Sequence, residues 1–251
     1  MNARVPKAPA IDQRKLLDLQ AVDSRLAQLA HRRATLPEQK ELDALLAEQR
    51  TVGDTGVAAR TVVGDVERLV AKAEADVQLV RDRVSRNTKR LESGAGSAKD
   101  LQGLQHELES LARRQSVLED EELEVMERLE QAQAAAAEVA AREAELATAV
   151  GTVTARRDEA LTAIADEERG TLARREAVRM GIDEPLVALY EKVRARTGGV
   201  GAALLRARRC TGCMFELSSS DVSDLRSTAP DEVVLHEECG RILVRTEESG
   251  L

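Results

Sequence analysis

Apolar residues recur at alternating three- and four-residue spacing along most of this chain. One run passes through Leu42, Leu45, Gln49, Val52, Gly56, Ala59, Val63, Val66, Val70, Ala73, Val77, Val80, Val84, Asn87 and Leu91. Only Gln49, Gly56 and Asn87 in it are not apolar, so it predicts one uninterrupted helical seam. A second run passes through Leu101, Leu104, Leu108, Leu111, Gln115, Leu118, Glu122, Val125, Leu129, Ala132, Ala136, Val139, Glu143, Leu146, Val150 and Val153. Between them lies Ser93-Gly94-Ala95-Gly96-Ser97, a break with no apolar side chain larger than alanine. Folding the chain there sets Leu91 against Leu101, Val63 against Leu129 and Leu42 against Val150. It also sets Gly56 against Ala136, and Gln49 against Glu143 as a hydrogen bond fixing the register. Gln115 and Glu122 are expected at the seam edge, reaching water.

The rest of the chain extends this pattern and then leaves it. Pro6 and Pro9 predict a disordered or extended start, and Asp12 a helix cap. Leu19, Val22, Leu26 and Leu29 continue a helix until Leu36-Pro37 interrupts it, because proline lacks an amide proton and restricts the residue before it. Beyond Val153 the strict line falls on Arg157, Glu167 and Arg174, with Leu161 and Leu172 one residue off it. This predicts a register shift and a kink opposite Pro37. Gly181 closes that helix, and Asp183 to Arg196 forms a shorter one carrying Leu186, Leu189, Tyr190 and Val193. Gly198-Gly199-Val200-Gly201 marks a boundary, and strands are expected at Ala202–Arg208 and Arg241–Val244. The expected organisation is a disordered start over 1–10, a hairpin over 11–181 with its tip at 92–98 and kinks near 35–38 and 154–160, a connecting helix over 182–198, and a small domain over 199–251. The fold class is mainly α: a long, kinked antiparallel coiled-coil hairpin with a small C-terminal β zinc ribbon.

The zinc assignment comes from two knuckles. Cys210-Thr211-Gly212-Cys213 and His236-Glu237-Glu238-Cys239-Gly240 each end one strand and start another, and each short loop can present two ligands to one ion. Cys210, Cys213, His236 and Cys239 are the candidate ligands, with Gly212 and Gly240 permitting tight turns. The competing reading of a Cys-x-x-Cys pair is a thioredoxin-like redox site, but that needs a following helix in an α/β domain, which the pattern here does not offer. With all four positions supplied by protein, one structural Zn2+ is expected rather than a catalytic one. A domain so poor in apolar residues also gains stability from a metal.

Composition excludes several functions. Of 251 residues 33% are charged, with one Phe, one Tyr and no Trp, so no large aromatic core is available. No apolar run approaches the roughly 20 residues that span a bilayer, and the start has no signal-peptide core, so a soluble, cytoplasmic protein without membrane contact is expected. Three cysteines then point to metal or redox chemistry before disulfides. No phosphate loop or nucleophile constellation is visible, so no enzyme is expected. His31 and His106 read as surface residues, and Glu119-Asp120-Glu121-Glu122 as a solvated face. Arg81, Arg83, Arg86, Lys89 and Arg90 cluster beside the hairpin tip and could meet nucleic acid or an acidic partner, although the net charge of -8 weighs against a general nucleic-acid binder and the missing aromatics against single-strand recognition. Val62 and Leu69 flank the seam and fit either a dimer contact or a wider intramolecular one, which leaves the oligomeric state open.

Gly199-Val200-Gly201, Cys210-Thr211-Gly212-Cys213, Cys239-Gly240-Arg241-Ile242-Leu243 and Leu118-Glu119-Asp120-Glu121 together resemble the bacterial zinc-ribbon coiled-coil proteins over nearly the whole chain. That family usually has cysteine at the position of His236, and imidazole there keeps the site chemically intact while making it more sensitive to acid. The resemblance implies an adaptor or chaperone-like protein, since relatives bind an alternative sigma factor or parts of flagellar and type III secretion machinery. The partner of this chain does not follow from it. Two functions are therefore expected to compete: a protein-interaction adaptor, and a nucleic-acid-associated factor using the basic tip.

Overall fold

The computed structural model describes residues 6–251. The chain divides into two compact units, Lys40–Ala155 and the residues on either side of that segment. Helix α1 spans Ala10–Ala34, α2 Pro37–Glu92, α3 Ala98–Met180 and α4 Glu184–Arg196. The strands are β1 Ala202–Arg206, β2 Arg209–Cys210, β3 Val234–Leu235 and β4 Ile242–Val244, with helix α5, Ser219–Ser227, between β2 and β3.

In Lys40–Ala155 the periodicity is realised position by position. Every seam residue from Leu42 to Leu91 and from Leu101 to Val153 is buried or half-buried, and most residues between them are exposed. Ion pairs show the direction of packing. Glu48 pairs with Arg142 and Arg83 with Glu107, each of the four residues immediately preceding a seam position; Arg81 pairs with Glu119, both immediately following one. Two helices bring like flanks together in this way only when they run antiparallel. At the tip, Gly94 and Gly96 take φ of 64° and 138°, which side chains disfavour, and the Ser97 amide and hydroxyl donate to the Asp100 carboxylate at 2.9 and 2.7 Å to start α3.

One detail of the register differs from expectation. Glu143 does not bond Gln49; its carboxylate lies over Gly56, in place of Ala136, and accepts from Arg60 at 3.4 Å. Gly56 lies seven residues, about 10.5 Å along the helix, beyond Gln49, farther than a glutamate side chain leans, so the two helices meet offset from the register counted from the tip. Gly56 leaves the space and Arg60 supplies the charge. Gln115 turns along its own helix to donate to Glu119 at 2.9 Å.

α3 runs through 154–160 without a helix break. Thr154 to Ala160 contains neither proline nor glycine, so nothing removes a helical hydrogen bond. The interruption falls on one strand only, where Thr35 and Leu36 separate α1 from α2, and Leu29 and Leu36 pack there against Ala160, Leu161 and Ile164 of α3. Farther along, Leu172 is 50% exposed and Arg174 is exposed, while Arg175 turns inward. Residues 1–5 of the expected disordered start lie outside the described residues. The described part of it is held in place: Ala8 is buried, its amide donates to the Asp231 carbonyl at 2.7 Å, and the Lys7 backbone forms an antiparallel β-bridge with Glu232.

The C-terminal sheet has the order β2-β1-β4-β3. β1 is parallel to β4, while β2 and β3 are antiparallel to β1 and β4 respectively. One core lies between this sheet and helices α1 and α4, built from Leu16, Leu19, Leu186, Tyr190, Ile242 and Val244. A smaller one packs α5 against the sheet through Leu205, Leu217, Val222, Leu225 and Leu243.

Candidate metal centre

The two knuckles have the same backbone construction. In the first, the amide of Cys210 donates to the Phe215 carbonyl at 3.0 Å, and the amide of Met214 donates to the Cys210 carbonyl at 2.8 Å. In the second, the amide of His236 donates to the Arg241 carbonyl at 2.8 Å, and the amide of Gly240 to the His236 carbonyl at 2.7 Å. The residue after the second ligand is left-handed in both, with φ of 65° at Met214 and 68° at Gly240. Glycine accepts that conformation freely and methionine does not. Gly212 has another role, because a Cβ there would come within 2.7 Å of Arg241 Cδ and 2.9 Å of Ala203 Cβ. It lets the first knuckle close against β1 and the second knuckle.

This construction brings Cys210, Cys213, His236 and Cys239 together, with one donor atom from each inside a mutual distance of 4.8 Å. His236 faces the cluster through Nδ1, which is 3.1 Å from Cys239 Sγ and 3.5 Å from Cys213 Sγ. A tetrahedral zinc with bonds of about 2.3 Å to sulfur and about 2.0 Å to nitrogen needs nitrogen–sulfur edges of about 3.5 Å. The donor set and spacing fit one structural zinc. Cys210 is fully buried and His236 is nearly so.

The thiols are prepared unequally in the absence of metal. Burial pushes Cys210 up to about 11, partly opposed by the amides of Cys213 and Gly212 that point at its sulfur. Burial also disfavours the thiolate of Cys239. Hydrogen bonds from the Arg241 amide, His236, the Arg241 guanidinium and Cys213 outweigh it, and bring Cys239 down to about 6. Arg241 also donates to the Thr197 carbonyl at 3.0 Å, tying the second knuckle to the end of α4. Metal binding requires deprotonated sulfur, so at neutral pH Cys239 offers its thiolate readily while the Cys210 proton must be released to solvent as the metal binds.

Behind the ribbon lies a polar cluster that the hydrophobic pattern does not announce. Asp23 of α1 is fully buried and accepts from Tyr190 Oη at 2.6 Å and from Arg175 Nε at 2.6 Å, with Arg194 Nε at 3.3 Å. Gln20, one turn earlier, accepts from Tyr190 at 3.1 Å and from the Gly201 amide at 2.6 Å, and donates to the Gly199 carbonyl at 3.1 Å. Arg175 also pairs with Glu191. Burial and the Asp23 carboxylate raise the Tyr190 phenol far above its ordinary value, and hydrogen bonding to Asp23 raises Arg175, so both keep their protons. The glycine linker is thus fastened rather than loose, and a Cβ on Gly201 would strike the Tyr190 ring at 2.8 Å. The signal in the sequence was the chain's single tyrosine, read there as one apolar position of a short helix.

The basic residues near the hairpin tip divide into two groups. Arg81 and Arg83 are engaged by Glu119 and Glu107. Arg86, Lys89 and Arg90 are exposed, and among the described residues no carboxylate lies within ion-pair distance of them. His31 and His106 are exposed helix residues. Among the described residues, no helix is long and apolar enough to cross a membrane.

Comparison with known proteins agrees with this anatomy. The CT398-like coiled coil hairpin domain matches residues 19–198, and a C4-type zinc ribbon domain matches residues 209–243. His236 departs from the four-cysteine pattern of that ribbon. An uncharacterized protein of Mycobacterium tuberculosis, Rv2229c, is 38% identical, covering 96% of this chain and 98% of its own length. One from Mycobacterium leprae is 31% identical over 88% of this chain and 95% of its own. A solved structure from Mycobacterium smegmatis superposes with a TM-score of 0.83 at 41% identity, covering 95% of this chain and 100% of that one. CT398 from Chlamydia trachomatis shares the fold, with a TM-score of 0.63 at 17% identity over 92% of this chain and 96% of its own. The chain belongs to the CT398-like coiled-coil hairpin family and carries that family's hairpin together with a C-terminal zinc ribbon.

Proposed function

We propose that this protein is a non-enzymatic, chaperone-like adaptor of the cytoplasm that presents its ribbon and its hairpin to protein partners. The observation that carries this reading is the closed donor set: Cys210, Cys213, His236 and Cys239 fill a tetrahedral zinc and leave no position for water or substrate. The zinc then serves to hold a surface. On that surface Met214 and Phe215 are each 62% exposed, and Phe215 is the chain's single phenylalanine. An exposed methionine–aromatic pair on a rigid loop suits a binding surface better than a folding core. Affinity capture with zinc-loaded protein, beside a Met214→Ser, Phe215→Ser variant, tests this. The expected result is one partner retained through high salt by the parent and lost by the variant; no specific partner under any salt condition would sink the adaptor reading.

A second reading rests on Arg86, Lys89 and Arg90, which are exposed and, among the described residues, have no carboxylate within ion-pair distance, although Arg90 stands near enough to Asp100 to act on its charge. They would give the hairpin tip a sequence-independent hold on nucleic acid phosphates. Binding that weakens steeply with salt and disappears when all three become glutamate supports this alternative, and salt-independent or absent binding removes it.

A further inference from the structure

Beside the second knuckle, between α5 and β3, is a pocket of about 130 Å³. Its apolar lining includes Leu217, Leu225, Leu235 and Leu243, and its polar lining includes Asp221, Asp224, Glu237 and Glu238. No lysine or arginine among the described residues lines it. Asp221 is engaged in capping α5 through the Ser218 amide at 3.0 Å. Among the described residues, none of the four carboxylates has a cation within ion-pair distance, although the molecule pairs many of its other acids. An apolar hollow ringed by uncompensated negative charge is complementary to one kind of ligand, an apolar side chain flanked by cations.

Among the described residues, nothing pairs with the outer backbone edge beside it. β3 is the terminal strand of the sheet. His236 makes the ladder bond to Arg241, so Leu235, opposite Ile242, occupies the alternate position, whose amide and carbonyl point away from β4. A terminal strand with outward-facing backbone groups can take up an extended chain.

We propose that this pocket binds an extended, basic peptide segment of a protein partner, with one apolar side chain entering the hollow and flanking lysine or arginine side chains meeting the acidic rim. This deepens the adaptor reading and rests on it. The test uses the zinc-loaded full chain with labelled leucine and valine methyls, titrated with the peptide Lys-Lys-Leu-Lys-Lys and followed by NMR. Saturable shifts are expected at the methyls of Leu217, Leu225, Val234 and Leu235. Affinity should fall at least tenfold when serine replaces the peptide's leucine, and at least tenfold in an Asp224→Lys, Glu237→Lys variant that retains its zinc. Asp224→Lys alone leaves the knuckle sequence untouched and should lose severalfold, which keeps the test decisive if the double variant loses metal. No saturable shift, or equal affinity for the serine peptide or for the zinc-retaining variants, overturns the pocket. Capture of a partner undiminished by Asp224→Lys would remove the pocket while leaving the adaptor reading intact. Pocket binding of the peptide by a protein that captures no partner would do the reverse.

Discussion

Residues 40–155 and the ribbon with its supporting helices are stabilised in opposite ways. In the hairpin segment each seam residue is buried by a few neighbours across one interface, and most are only half-buried. Around the ribbon, Leu16, Leu19, Leu186, Tyr190, Val193, Leu205, Ile242 and Val244 are completely buried, and four ligands, two glycines with tight surroundings and a buried carboxylate each occupy a place that no neighbour can fill. A repeated seam spreads its stability over many equivalent contacts. The ribbon concentrates it in contacts that occur once, so equal insults should have unequal results.

Metal loss should separate the two most sharply. Structural zinc contributes on the order of 10–16 kcal/mol to small zinc domains. Chelation, or Cys239→Ser, is expected to release the metal and expose β1 to β4 and α5 to hydrogen exchange, while amides along Leu42–Leu91 keep their protection and far-ultraviolet helicity changes little. Protection lost equally in both regions would mean that the hairpin depends on the ribbon. Next in size is Asp23→Ala, which removes the buried carboxylate between Arg175 and Arg194, leaves them only the partly exposed Glu191, and takes from Tyr190 the nearer of its two acceptors. Breaking a buried ion pair from one side costs about 3–5 kcal/mol. Denaturant unfolding should register that loss, with Asp23→Asn losing less because it still accepts from Tyr190.

Matched truncations in the two regions bring the comparison down to single side chains. Leu186→Ala, in the core under the sheet, and Leu146→Ala, in the hairpin seam, remove the same atoms from sites that are 0% and 2% exposed. Large-to-small core changes of this kind cost about 2–5 kcal/mol, depending on how far the surroundings collapse. The seam has water close by on both flanks and should relax, placing Leu146→Ala near the lower bound and Leu186→Ala near the upper. Equal losses in denaturant titrations would contradict the difference drawn between the regions.

The same contrast decides what could be read from the amino acids alone. The seam from Leu42 to Val153 was legible throughout because one rule, repeated, specifies it. What it missed was the offset between the strands: Glu143 meets Gly56 and Arg60 and not Gln49, because a heptad repeat fits equally well when one helix slides along the other. The four metal donors were legible because knuckle spacing is itself chemical. Gln20, Asp23, Arg175 and Tyr190 were not, since they come from three helices and meet only after folding. α5 escaped as well; its start is a Ser218–Asp221 capping box, a short signal that carries no apolar repeat.

The smallest expected effect tests the likeness between the two knuckles. Met214 and Gly240 hold the same left-handed place after the second ligand of each, yet only one is glycine. A left-handed side-chain-bearing residue costs about 1–2 kcal/mol, and glycine's greater freedom in the unfolded chain returns about 0.5–1 kcal/mol of that. Met214→Gly should therefore stabilise the zinc-loaded protein by about 0.5–1 kcal/mol, with little lost burial because Met214 is 62% exposed. Gly240→Met should destabilise it by a similar amount. Thermal unfolding at fixed zinc concentration measures both. If Met214→Gly weakens partner capture while raising stability, the methionine is retained for the surface it presents and the knuckle tolerates its strain for that purpose. If it raises stability and leaves capture unchanged, the binding surface centres on Phe215 or lies elsewhere.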